Sequence, residues 1–279
     1  MEAGRASKTA FRVALRRAVH QVADRPCILT DPVAIPLLGR RFTFDPARER
    51  HRIARAFRAF MAVRSRYAED HLAQSVAQGV AQYVVLGAGL DTFAYRNPFP
   101  QLRVFEVDFP ATQQWKRALL DEAGIAIPAS LTFVPLDFEH KTLSEGLADA
   151  GFDSAKPAFF GWLGVVPYLT LAAFRSTLDT IARLPAHSAV SFDYALSPHS
   201  LNFVRRMAFN ILASRVAKAG EPFQLFFTPA ELDSEFVRAG FSRTEQLDSA
   251  QLNALYFAGR SDGLRLPSPG LGMVATAWV

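Results

Sequence analysis

One stretch constrains this chain more than any other: Gln82-Tyr83-Val84-Val85-Leu86-Gly87-Ala88-Gly89-Leu90-Asp91-Thr92. The apolar run from Tyr83 to Leu86 fits a short, fully buried strand of a parallel sheet. It leads directly into Gly-Ala-Gly. Glycine adopts positive φ without strain and, having no side chain, lets a ligand approach the backbone. Open α/β sheets bind ligands at such turns, beyond the carboxyl ends of parallel strands. A second strand follows, Arg103-Val104-Phe105-Glu106-Val107-Asp108-Phe109, with an acid about twenty residues past the glycines. A carboxylate at that spacing suits the hydroxyls of a ribose. The plainer alternative is a tight turn with no ligand, and the acid on the second strand weighs against it. The stretch predicts a nucleoside-binding crevice.

The rest of the chain supplies the frame. Residues 8–24 pattern as a helix, 31–40 as a short element, and 47–78 as a long helix. In the long helix Ile53, Phe57 and Phe60 fall on one face, and Arg52, Arg55 and Arg58 are expected to be solvated. Arg64 returns to the apolar face, where its charge needs a partner: its head either reaches water or meets an anionic ligand group. Arg66 points elsewhere, near the helix's expected contact with the glycine turn. Strands are expected at 131–138, 158–163 and 189–194, and helices at 110–124, 141–150 and 170–183. Strands alternating with helices in this way mean a doubly wound parallel sheet. Residues 199–219 pattern as helix outside that alternation, as part of a cap insertion over 199–227. A helix from Thr228 to Ala239 and strands at 242–247 and 271–279, joined by a long turn, complete the chain. The expectation is one domain, 1–279, with a helical N-terminal extension over 1–78.

Composition narrows the function classes. At 279 residues and 50% hydrophobic, the chain can bury a sizeable core. Its single cysteine, Cys27, excludes an intrachain disulfide and fits a reducing cytoplasm, and nothing marks a metal site. The net charge of +5 lies largely in arginine-rich helical stretches, without the aromatic interleaving of a nucleic-acid platform. The basic segment 1–21 lacks the apolar core of a secretory signal. Residues 157–174 carry no charge but are interrupted by Gly161, Gly164 and Pro167, so no membrane span is expected.

Two cofactor classes share the crevice layout. A dinucleotide fold wants a third glycine where this chain has Thr92. S-adenosylmethionine has no pyrophosphate; it needs a close turn, an acid for the ribose, contacts for the adenine and an anchor for its amino-acid end. Gly87 and Gly89, Asp108, Asp137 with Phe138, and an arginine of the N-terminal helix are the candidates.

The run 84–92 with Ala94-Tyr95-Arg96, followed by Phe105-Glu106-Val107-Asp108-Phe109-Pro110, resembles the leucine carboxyl methyltransferase family. The likeness extends to Arg64-Ser65-Arg66, to 134–138 and to Gly164-Val165-Val166-Pro167-Tyr168-Leu169-Thr170. It implies a class I, Rossmann-like methyltransferase fold with a seven-stranded sheet ending in an antiparallel hairpin. By the same resemblance the cofactor carboxylate lies near Arg66 and its methionine portion over Gly87. The ribose is at Asp108, and Asp137 and Phe138 flank the adenine. Tyr168 matches a tyrosine that helps hold the substrate carboxylate in the eukaryotic enzyme. The family's glutamate before the Gly-Val turn is Leu163 here, so that polar contact is missing or comes from elsewhere.

The expected function is O-methylation of a carboxylate or hydroxyl on a small molecule or peptide. An NAD-dependent oxidoreductase and an S-adenosylmethionine-binding protein without turnover are the alternatives. Aligning acceptor and methyl donor can supply roughly 7–11 kcal/mol of the barrier. An ionised carboxylate needs no base, and His199, after the fifth strand, is the sole histidine placed to act as one. The apolar residues of the cap, Phe203 and Phe223 among them, suit either an acceptor with hydrophobic bulk or the cap's own core.

Overall fold

In the computed structural model, which describes residues 8–137, 140–203, 205–207, 209, 210 and 222–279, seven strands pair into one sheet. They are β1 (Gln82–Leu86), β2 (Arg103–Asp108), β3 (Leu131–Pro135), β4 (Phe159–Trp162), β5 (Ala189–Ala195), β6 (Arg243–Leu247) and β7 (Gly272–Trp278). Their order is β3-β2-β1-β4-β5-β7-β6. The first five are parallel, and β7 inserts antiparallel between β5 and β6. The chain winds outward from β1 to β3 and then returns to β4. Open α/β sheets take ligands into the crevice at such a reversal, here at the carboxyl ends of β1 and β4.

Strand alternation sorts the side chains onto two unlike faces. Val84, Leu86, Phe105, Val107, Phe160, Trp162, Val190, Phe192 and Tyr194 join one continuous apolar cluster. Phe174 and Leu178 of α7 (Leu171–Ala182) and Phe236 of α8 (Pro229–Ala239) complete it, with Leu147 of α6 (Leu143–Asp149). The other face carries Glu106, Asp108, Ser191, Asp193 and Thr276, all buried. It is covered by α1 (Lys8–Ala23), α4 (Arg52–Ala77) and α5 (Pro110–Glu122), with the short α2 (Ala34–Leu38) and α3 (Pro46–Glu49) beside them.

Helix starts follow the chemistry of the chain. Thr142 and Thr228 each form a reciprocal capping box with a glutamate three residues on, and Thr170 caps α7. Asp248 and Gln251 form another box, which starts α9 (Ser249–Tyr256) inside the segment expected to be a long turn. The third strand stops at Pro135, short of the expected 138. The long helix begins at Arg52, after the separate α3. Its expected apolar face is displaced: Ile53 is 72% exposed, whereas Arg58 is buried rather than solvated. The reason is electrostatic. Asp24 receives the Arg58 guanidinium at 2.7 and 2.9 Å, and Glu49 accepts from it at 2.8 Å. The uncharged run 157–174 resolves into β4, a 3-10 turn and the start of α7, and among the described residues no helix is long and apolar enough to cross a membrane.

Candidate functional site

The glycine turn after β1 is tied to β2. Gly87 and Ala88 donate their N–H groups to the Val107 carbonyl at 2.9 and 3.1 Å. Gly87 has φ +64 and stays exposed, and a Cβ there would fall 2.5 Å from Cγ2 of Val165. Only glycine fits that backbone beside the Val165 methyl. Gly89 donates its N–H to Oδ2 of Asp108 at 2.5 Å, and Phe109 donates to Oδ1 at 2.7 Å. Asp108 is 8% exposed, and burial pushes its carboxyl above the ordinary value despite those bonds. With the Thr112 hydroxyl also bonded to it, the carboxylate keeps one lone pair that can accept a hydroxyl.

No α-helix follows this turn. The chain between Gly89 and β2 forms only the 3-10 turn Phe93–Arg96. A network of buried charges holds that turn against α1. Arg17 reaches Asp91 and Asp31, each at 2.8 Å, and Thr92 donates to Asp31 at 2.6 Å. Arg96 pairs with Glu69. The residue that breaks the dinucleotide glycine pattern is therefore a buried link between α1 and the crevice floor.

The next corner of the crevice, at the ends of β4 and β5, is polar as well. Arg64 is 5% exposed and donates from Nη1 to Oδ2 of Asp193 at 2.9 Å. Oδ1 of Asp193 accepts the Gly164 N–H at 2.6 Å. Gly164 has φ +72, and a Cβ there would stand 2.8 Å from Nη2 of Arg64, so glycine makes room for the guanidinium. The Arg64 Nε–H is buried without a partner among the described residues. Arg66 goes the other way: it is exposed and donates to Asp70 at 2.8 Å. On an α-helix positions two apart face different sides, and Arg64 is the one turned onto the sheet.

Of the other expected residues, Asp137 is half-buried past the end of β3 and lies 3.2 Å from His140. Phe138 lies outside the described residues, as do 204, 208 and 211–221 of the expected cap. Tyr168 is half-buried in the 3-10 turn after β4, with its ring 5.3 Å from that of Phe223. Phe209 packs beyond Phe223 and Phe226 at 6.2 and 5.4 Å. His199 is exposed. Gly87, Gly89 and Asp108 thus form one cluster, and Arg64 joins Asp193 and Gly164 at its neighbour. Leu163 is half-buried beside this second corner.

Sequence reasoning passed over the buried groups Arg17 and Lys116. For Arg17 a cue was present: Ala14 lies three residues before it, on the same side of the helix.

A donor set of this kind fits an adenosyl cofactor: an open glycine turn, a carboxylate with spare acceptor capacity, and a buried guanidinium with an idle N–H. The profile of the leucine carboxyl methyltransferase family matches residues 10–182. YktD of Bacillus subtilis, named by inference as an S-adenosyl-L-methionine-dependent methyltransferase, is 32% identical over 95% of both chains. A relative from Mycobacterium sp. (strain KMS), named in the same way, is 34% identical over 70% of this chain and 68% of its own length. A solved structure from Thermobifida fusca, described as an inferred methyltransferase, has a similar fold, with TM-score 0.56 and 20% identity. The match covers 87% of this chain and 91% of that one.

Proposed function

This chain belongs to the leucine carboxyl methyltransferase family and is an S-adenosylmethionine-dependent methyltransferase; on that premise we propose that the atom it methylates is an oxygen, carboxylate or hydroxyl, of a small molecule or peptide. The observation that carries the cofactor assignment is the turn itself. Dinucleotide sites place a pyrophosphate on the N-terminus of the helix that follows the glycines. Here a 3-10 turn takes that place, and the carboxylates of Asp91 and Asp108 stand beside it. An uncharged ribose and a sulfonium suit such surroundings; a pyrophosphate does not.

When bound, S-adenosylmethionine supplies a methyl group already activated by its sulfonium. The protein's part is to hold and to align. Asp108 accepts from a ribose hydroxyl, and Gly87 admits the methionine portion against bare backbone. Asp137, past the end of β3, contacts the adenine. Arg64, rather than Arg66, anchors the cofactor carboxylate through its idle Nε–H, and Asp193 beside it receives the ammonium. Asp193 thereby provides the carboxylate that Leu163 lacks. The pair Arg64–Asp193 matches the two opposite charges of an amino-acid end.

Tyr168 and the aromatic rings of Phe223 and Phe209 form the acceptor side. With His199 exposed, a carboxylate acceptor, already ionised at neutral pH, is favoured over a hydroxyl, which would gain ~10²–10⁴-fold from a base. The test is calorimetry with S-adenosylhomocysteine and NAD, followed by product mass with carboxylate and hydroxyl acceptors. Binding of the first ligand alone and a mass gain of one methyl on oxygen are expected. A nitrogen or carbon product would overturn the oxygen assignment. Asp108→Ala should weaken S-adenosylhomocysteine at least roughly tenfold, the scale of one charged hydrogen bond.

A further inference from the structure

Directly behind Asp108 lies a buried ion pair that none of the roles above uses. Glu106 sits two residues earlier on β2, so its side chain emerges on the same face of the sheet. Glu106 and Lys116, the latter on α5, are each 1% exposed, and Nζ meets Oε2 at 2.6 Å. Among the described residues, Oε1 of Glu106 is buried with no hydrogen-bond partner, and so is the hydroxyl of Tyr95, whose ring centre lies 5.3 Å from Nζ. A pair this dry adds little to folding, because desolvation offsets the attraction. An idle carboxylate oxygen makes the balance worse. Stability does not account for it.

We propose that Glu106 and Lys116 are positioning residues that set the charge of Asp108, so that the ribose-binding carboxylate is ionised when the cofactor arrives. The proposal rests on the reading that Asp108 binds the ribose. The groups facing Asp108 are few. β2 contributes Glu106, α5 contributes the Lys116 ammonium and the Thr112 hydroxyl, and the turn after β1 contributes the Gly89 N–H. Asp91 faces Glu106 and Lys116, and is itself held ionised by Arg17 of α1 together with Lys116 and Arg96. Tyr95 faces Glu106, Asp91 and Arg117. Burial pushes both Asp108 and Glu106 upward, and Lys116 opposes it for both. One lysine therefore serves two neighbouring acids. Removing it leaves Asp108 without that cation; Glu106, which burial lifts to about 7, is neutral on the acid limb and acts by holding the ammonium in place.

The experiment measures S-adenosylhomocysteine affinity from pH 5 to 8 by calorimetry. Any titration of the ligand is common to all variants. Where Asp108 is protonated, the apparent dissociation constant rises by the inverse of its ionised fraction. Lys116→Met should move the acid limb of binding up by about one pH unit, a roughly tenfold loss on that limb. Glu106→Gln, nearly isosteric and neutral like the protonated acid, should leave the limb in place, and Glu106→Gln with Lys116→Met should move it up as Lys116→Met does alone. Lys116→Arg should keep the wild-type limb. If Lys116→Met does not fold, Lys116→Gln, which keeps a hydrogen bond to Glu106 without the charge, decides in its place. A purely structural pair would weaken binding equally at every pH, and an unshifted limb in the neutral Lys116 variant would overturn the proposal. Asp108→Asn separates the two readings. Unchanged affinity in that variant discards the ribose contact and the pair's role with it. Lost affinity alongside an unshifted limb in the neutral Lys116 variant discards only the pair's role.

Discussion

On one face of the sheet Phe105, Phe160, Trp162, Phe192 and Tyr194 pack with Phe174 and Phe236 of the covering helices. On the other, Glu106, Asp108 and Asp193 emerge from the same strands and meet Lys116 and Arg64 from helices. The two faces are comparably dry. Their side chains, however, answer to different physics. Apolar contacts are non-directional, so the aromatic face holds the sheet in shape whatever the ligand. A buried charge must be matched by a partner in a particular place, so the charged face specifies which groups a ligand can offer. Stability and specificity are thus divided between two sides of the same strands.

The largest way to break this division is Phe174→Ala. Phe174 stacks on Trp162 at 5.6 Å and touches Phe192 and Phe227, so unfolding in urea should show a loss of about 3–5 kcal/mol. Affinity of the folded protein for S-adenosylhomocysteine should not change; a parallel fall would mean the faces are not separate.

Arg64→Met addresses the opposite side. It leaves Asp193 buried without its cation, at a cost on the order of 3 kcal/mol, together with loss of ligand binding. Adding Asp193→Asn, which still accepts from Gly164, should restore most of the stability and none of the binding. Recovery of both would show that the pair is merely structural.

Two acids of buried pairs should tilt stability in opposite directions with pH. Burial raises the Asp24 carboxyl, but His20 and Arg58 outweigh it and hold it at about 2. Its stabilisation of about 2 kcal/mol is present above the unfolded value and fades as pH falls from about 4 through 2. Burial of Glu106 wins over Lys116 and lifts its carboxyl to about 7. Its contribution is present below about 4.5 and is lost as pH rises through 7. Unfolding free energies from pH 2 to 8 for wild type, Asp24→Asn and Glu106→Gln should resolve the two slopes. A wild-type curve without either slope would contradict the burial argument.

The smallest effect is expected at Arg66→Ala. Its bond to Asp70 is an exposed pair one helical turn apart, so stability should shift by less than about 0.5 kcal/mol. Ligand affinity should stay constant; a tenfold loss would return the carboxylate anchor to Arg66.

Much of the frame was legible in the chain. The buried run before Gly87, the caps at Thr170 and Thr228, and the alternation of strands with helices all act through neighbours in sequence. The Asp248–Gln251 capping box was equally local and starts α9, although glycines and a proline further along drew the segment toward a long turn. Arg58 could not be placed in the same way. Helical spacing puts it off the apolar face, and only the arrival of Asp24 makes burial favourable. Arg64 against Arg66 is the same problem: both are arginines on one helix, and the rotation of α4 over the sheet separates them.

By itself the sequence determined the strand–glycine turn, the acid about twenty residues beyond it and the doubly wound order, because backbone freedom and side-chain periodicity are local properties. Tertiary structure alone decided which charges face one another. Lys116 behind Asp108, Asp193 against Arg64 and Arg17 under the turn are partners from distant segments, and the energy of a buried charge depends on what folding brings to it.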